Sequence, residues 1–211
     1  MSTAPGAPST TAREPLALAI AVVALFVALG IAPRTDRGTW AGEVAPVAIA
    51  LPLLVVTYRR FRFTDLAYRL MAIHAVVLLV GGHYSYAEVP LGHWVRDAFD
   101  LSRNHYDRLG HFVQGFVPAI VARELVLRTT PLRRGGWLFA LVTLSVLGIS
   151  ALYEIIEWWS AVALADGAVA FLGSQGDVWD AQWDMCLALA GALAAQLALG
   201  RVHDRALARR S

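Results

Sequence analysis

The stretch RNHYDRLGHFVQGFVPAIVARELVL, residues 103–127, begins as a soluble surface and ends as a membrane segment. Its first ten residues hold two arginines, two histidines and an aspartate. From Phe112 onward it is apolar enough to enter lipid, with Arg123 and Glu124 near its far end. Asp107 and His111 stand four apart, so on a helix they share one face, one turn above the other. A chain that carries ionisable groups into an apolar span needs partners for them, because unpaired charge in hydrocarbon costs several kcal/mol.

The rest of the chain supplies the membrane context. Its 211 residues are 57% hydrophobic with a mean hydropathy of +0.54; soluble domains average about 45–50% apolar. A crossing helix needs about 20 mostly apolar residues. Six stretches fit: Leu16 to Ile31, Val44 to Tyr58, Leu66 to Gly82, Leu109 to Leu127, Trp137 to about Ala165, and about Asp184 to Gly200. Pro118 predicts a kink in the fourth. The expected architecture is all-α, a polytopic six-transmembrane-helix bundle over residues 15–200. Residues 1–14 read as a disordered cytoplasmic tail and residues 201–211 as a basic cytoplasmic tail.

Loop charge orients the bundle. YRRFRF, RTTPLRR and RVHDRALARR follow the second, fourth and sixth stretches, whereas SQGDVWDAQWD has acids and no arginine. The positive-inside rule then puts both termini in the cytoplasm. The net charge is only +2 and every Lys/Arg position is Arg. Short basic loops of this kind face lipid headgroups rather than nucleic acid. The single Cys186 excludes an internal disulfide.

That topology gathers ionisable residues at the outer end. Glu154 and Glu157 in YEIIEWW share a helical face. Asp177, Asp180 and Asp184 step by three and four and form one acidic stripe if helical, with Ser174 as cap. His83 ends the third stretch, and His105 stands beside Asp107. Carboxylates and imidazoles on facing helices build di-metal centres, and this oxygen and nitrogen set suits Zn, Mn or Fe. The candidate ligands are His83, His105, Asp107, His111, Asp177, Asp180 and Asp184. Glu154 or Glu157 is the candidate general base, and Arg103 or Arg108 the candidate phosphate-holding group. His74, alone in mid-helix, reads as a packed, hydrogen-bonded residue, and Arg123 with Glu124 as an inner-end pair. Gly110, Gly115, Gly148 and Gly191 read as sites of close helix contact.

HYSYAEVPLG, the 103–128 stretch, YEIIEW and QGDVWDAQWDM together resemble the YjdF-like family of bacterial inner-membrane proteins, whose function is not settled. The resemblance covers about residues 45–200. The layout is also distantly similar to VanZ-like membrane proteins, which implies a set of Asp107 with His111, then Glu154 or Glu157, then Asp184. Two functions follow as expectations. One is a metal-dependent hydrolase acting on a lipid or lipid-linked substrate at the outer leaflet. The other is a proton- or ion-coupled transporter or flippase, which asks for a titratable group in mid-membrane. A non-catalytic membrane protein stabilised by metal is a third.

Overall fold

The computed structural model describes residues 13–164 and 174–210. Among them there are seven α-helices and no strand: α1 (Arg13–Ile31), α2 (Arg37–Thr57), α3 (Asp65–Tyr84), α4 (Pro90–Ala98), α5 (Tyr106–Thr129), α6 (Gly136–Leu164) and α7 (Asp180–Ala208). A short 3₁₀ turn, Tyr86–Glu88, joins α3 to α4. Five helices are long and apolar enough to cross a membrane: α1, α2, α3, α6 and α7. The opening stretch, α5, is not among them, because Asp107, Arg108, His111, Arg123, Glu124 and Arg128 lower its apolar content.

Helix starts follow local chemistry. Asp36 Oδ1 accepts from the amides of Gly38 and Thr39 at 2.9 and 3.0 Å and caps α2. Thr64 caps α3 through the Ala67 amide. Pro90 occupies the first turn of α4, where its missing N–H costs nothing. α2 begins seven residues before the expected Val44, which brings Glu43 into a buried helical position. α7 begins at Asp180 with no side-chain cap. Residues 174–179 form turns, with Gln175 and Gly176 at positive φ, so Asp177 is not part of a helical stripe and Ser174 does not cap a helix. Arg201 to Ala208, expected as tail, continue α7. The expected N-terminal tail, except Arg13 and Glu14 in α1, and the expected end of the fifth stretch at Ala165 fall outside the described residues.

The long helices alternate in direction. Arg34 and Thr35 donate to the His83 carbonyl, and Glu14 pairs with Arg69, so α1 runs parallel to α3 with α2 returning between them in sequence. Thr64 meets Glu124, so α5 runs opposite to α3. α1 and α2 both pack on α3; α6 and α7 both pack on α5; α3 and α5 join the two groups. The bundle thus has an Asp107 end and a Glu124 end. The apolar layer between them includes Ala119, Ile120, Val142, Val146 and Ala192, all at 0–1% exposure.

Candidate metal centre

The closest helix pair is α5 with α7, and small residues set its spacing. A Cβ on Gly115 would lie 1.9 Å from the Ala188 carbonyl oxygen, and one on Gly191 would lie 2.1 Å from that of Phe112. Backbone therefore touches backbone, the small-residue packing typical of membrane helices. Gly110 faces the Tyr86 ring rather than another helix, and Gly148 faces nothing within 4 Å, so neither permits helix contact as expected.

This contact carries Asp184 to His111. His111 Nε2 lies 3.6 Å from Asp107 Oδ1 and 3.8 Å from Asp184 Oδ2, and its Nδ1 lies 3.7 Å from Glu154 Oε1. His111 and Asp184 are buried. One atom from each of Asp107, His111 and Asp184 falls within 4.8 Å of the other two, a set that could hold a metal ion. The separations are too long for hydrogen bonds. They approach the ~3.3 Å edge of a tetrahedron with bonds of about 2.0 Å. His111 Nδ1, Glu154 Oε1 and Asp184 Oδ1 are buried without a hydrogen-bond partner, a costly state for polar groups.

Two more acids lie within electrostatic reach of this group. Glu157 feels Glu154, Asp107, Glu43 and Asp184, and Glu43 feels Asp107 and His111. Five carboxyl groups thus share one electrostatic neighbourhood with the imidazole. Two like charges ~4 Å apart repel by about 4 kcal/mol at an effective dielectric of about 20, so the group requires bound cations or protons. Glu43 falls just outside the stretch expected from Val44, where a lone acid before an apolar run looks like a loop residue.

Four of the remaining candidates, Arg103, Arg108, Asp177 and Asp180, pair with one another beside this set. Arg103 Nη1 donates to Asp180 at 2.7 Å and reaches Asp177 at 3.4 Å, while Arg108 Nη2 donates to Asp177 at 2.7 Å. Asp177 and Asp180 therefore meet arginines rather than His111. Arg103 keeps Nε and Nη2 without partners. The Gln175 side-chain amide holds the Asn104 backbone twice, Oε1 accepting from its N–H at 3.0 Å and Nε2 donating to its carbonyl at 2.9 Å, which ties this loop to the turn before α7. His105 approaches Arg108 at 3.5 Å; burial, then Arg108 and Arg103, hold its imidazole below its ordinary value. His83 Nδ1 bonds the Leu29 carbonyl at 2.9 Å and brings no atom to the Asp107 group.

A second polar cluster lies at the other end, larger than the Arg123–Glu124 pair expected. Glu124, fully buried, accepts from the Thr64 amide and hydroxyl, Arg128 and His203 at 2.7–3.2 Å. Arg123 Nη1 contacts His203 Nδ1 at 2.9 Å. Arginine can only donate, so Nδ1 accepts and Nε2 donates to Glu124. Arg123 and Arg134 both reach Asp204 at 2.8 Å. These side chains find partners here, unlike those around His111, and the cluster reads as a clasp joining α3, α5 and α7. His203 was hidden in a stretch that looked like a basic tail.

Between the two clusters an apolar cavity of about 540 Å³ opens between α1 and α2 over α3 and α5. It starts at Pro46 and Val47, one turn from Glu43, and runs to Tyr58. His74 lines it, and its Nε2 has no partner, contrary to the expected hydrogen-bonded residue.

Comparison with known proteins agrees with the membrane architecture. Residues 14–205 match the family described as "Predicted membrane protein (DUF2238)". The chain is 47% identical over 203 residues to the inner membrane protein YjdF of Escherichia coli (strain K12), covering 95% of this chain and 97% of that protein. No solved structure matches. The expected VanZ-like similarity is not shown by these comparisons. The chain belongs to the DUF2238 family of membrane proteins.

Proposed function

We propose that Asp107, His111 and Asp184 hold a divalent cation, Zn, Mn or Fe, and that the protein is a metal-dependent hydrolase of a lipid or lipid-linked substrate. The observation that carries this reading is the gathering of Asp107 and Asp184 at His111 Nε2, with ligand atoms within 4.8 Å of one another and with Asp184 Oδ1 buried without a hydrogen-bond partner. Three protein ligands with an open position are the pattern of catalytic rather than structural metal sites. Glu154 faces Nδ1 and orients the ring, as carboxylates commonly do behind a ligating histidine. A metal held by Asp107, His111 and Asp184 would make a water more acidic at neutral pH. Glu157 would take that water's proton as it adds to a phosphoryl or acyl centre, and would return the proton to the leaving oxygen as the ester bond breaks. The spare donors of Arg103, with Arg108 beside it, would hold a substrate phosphate. The cavity beginning one turn from Glu43 gives room for an apolar tail.

In this reading α5 is the sixth crossing, admitted to the membrane because its polar groups face other helices. His111 and Glu124 are about 20 Å apart at 1.5 Å per residue, so both fit within a hydrocarbon core of about 30 Å. The alternating helix directions suit six crossings with both termini at the Glu124 end, and the arginine loops make that end cytoplasmic. The exposed Trp94, Trp158, Trp159, Trp179 and Trp183 suit the opposite interface. The ligand-like spacing at His111 favours an enzyme; the buried, unpartnered His74 between the clusters is the observation on the side of a proton-coupled transporter.

Elemental analysis of the purified protein beside Asp184→Ala and Asp180→Ala tests the site. The wild type and Asp180→Ala should each retain about one metal per chain, and Asp184→Ala should lose it. A wild type without metal above background overturns the proposal. With metal retained, Glu157→Gln should abolish release of product from phospholipid or lipid-diphosphate substrates.

A further inference from the structure

The Glu124 end carries a feature that neither the metal centre nor the clasp uses. The α2–α3 loop, the α5–α6 loop and the chain's C-terminal end converge on a cavity of about 860 Å³. Seven arginines line it: 59, 60, 62, 128, 133, 134 and 210. The sequence showed three basic loops; the fold makes them one concave surface.

Some of these arginines are held in place by the protein. Arg128 donates to Glu124 and the Arg62 carbonyl, both within 2.8 Å. Arg134 is held by Asp204, and Arg210 by the Arg62 and Phe63 carbonyls. Arg59, Arg60 and Arg133 form no ion pair among the described residues. Among the described residues, the acids in contact with the seven are Asp65, Glu124 and Asp204, and Asp204 also serves Arg123. Seven arginines against three acids leave an excess of four positive charges among those residues. Burial and then the repulsion of Arg62 depress the affinity of Arg210 for its proton. Its remaining lining is apolar: Leu127, Leu132 and Leu207.

We propose that this cavity binds the headgroup of an anionic phospholipid carrying two phosphates. The guanidinium fork matches phosphate oxygens bidentately. A single monoanionic headgroup would leave most of the excess charge unmatched, and a free anion would make no use of the three leucines. Basic pockets between membrane helices commonly take such lipids.

The test uses detergent-purified, delipidated full-length protein, with binding read by thermal shift and native mass spectrometry. The probes are cardiolipin, phosphatidylglycerol at matched phosphate, phosphatidylcholine and inorganic pyrophosphate. Cardiolipin should bind most tightly and raise Tm most. An arginine at such a surface contributes roughly fivefold in affinity. Arg59→Gln/Arg60→Gln/Arg133→Gln, three exposed positions, should therefore weaken cardiolipin binding on the order of a hundredfold. The same three positions changed to Lys keep charge without the fork and should lose only part of it. Equal gain from phosphatidylcholine, or full cardiolipin binding by the Gln variant, overturns the site. Equal binding of phosphatidylglycerol overturns the two-phosphate assignment. Equal stabilisation by pyrophosphate overturns the lipid assignment.

Discussion

Gly115→Ala is the most demanding perturbation of this fold, because one methyl group is set against a backbone. The added Cβ would lie 1.9 Å from the Ala188 carbonyl oxygen, where ordinary contact begins at 3.4 Å. The obstacle is not a flexible side-chain tip, so α7 must move away from α5 by about 1.5 Å, the difference between those two distances. Overpacking of this kind costs about 1–3 kcal/mol, and the rigid obstacle places this case near the upper end. Alanine returns about 1 kcal/mol of helix propensity. A net loss of about 2 kcal/mol corresponds to a Tm lowered by roughly 4–8 °C for a chain of this size. The same displacement carries Asp184 away from His111, where the separation is now 3.8 Å. Metal sites tolerate about 0.2 Å, so the variant should also lose bound metal. Gly148→Ala is the matched control: nothing lies within 4 Å of its Cβ, and it should match or slightly exceed wild-type stability. Thermal unfolding in detergent with metal analysis reads both effects. A Gly115→Ala protein with wild-type Tm and metal content would refute the close α5–α7 packing and the placement of Asp184 that depends on it.

At the other end, Glu124→Ala removes the shared acceptor of the Thr64 amide and hydroxyl, His203 and Arg128. Breaking a buried charged pair on one side costs about 3–5 kcal/mol, so denaturant unfolding should show a loss of that order, and a change under 1 kcal/mol would contradict the clasp. Asp36→Ala should cost about 1 kcal/mol through its lost cap. Hydrogen bonds from Thr39, side chain first, lower the Asp36 carboxyl from its ordinary value. A carboxyl lowered in the folded state stabilises above its unfolded value of about 3.9 and loses that contribution as pH falls. Wild-type and variant unfolding curves should therefore separate at neutral pH and converge below about pH 4; a constant gap would refute the cap.

How much of this could be read from the residues divides along a physical line. Helical periodicity and apolar length are local properties, so the all-helical membrane architecture and the shared face of Asp107 and His111 were legible. So was the meeting of α5, α6 and α7 at Asp184, His111 and Glu154, since a charge carried into hydrocarbon must be met by something. Pairing choice was not legible. Asp177, Asp180 and Asp184 look equivalent as a spaced run, yet positive φ at Gln175 and Gly176 takes Asp177 out of the helix. Asp177 and Asp180 then meet Arg103 and Arg108, and only Asp184 is left to face His111. The arginines thus act on the site by subtraction: they neutralise two acids and leave the inner carboxylates without a protein cation among the described contacts. Glu43 and His203 were illegible for the converse reason, because each looks like the edge of a polar segment until a neighbouring helix covers it. The two ends of α5 then differ in kind. At Glu124 the protein supplies donors to its buried carboxylate; at Asp184 it withholds them, and that asymmetry, rather than the presence of acids, marks the Asp107 end as the place where something else must bind.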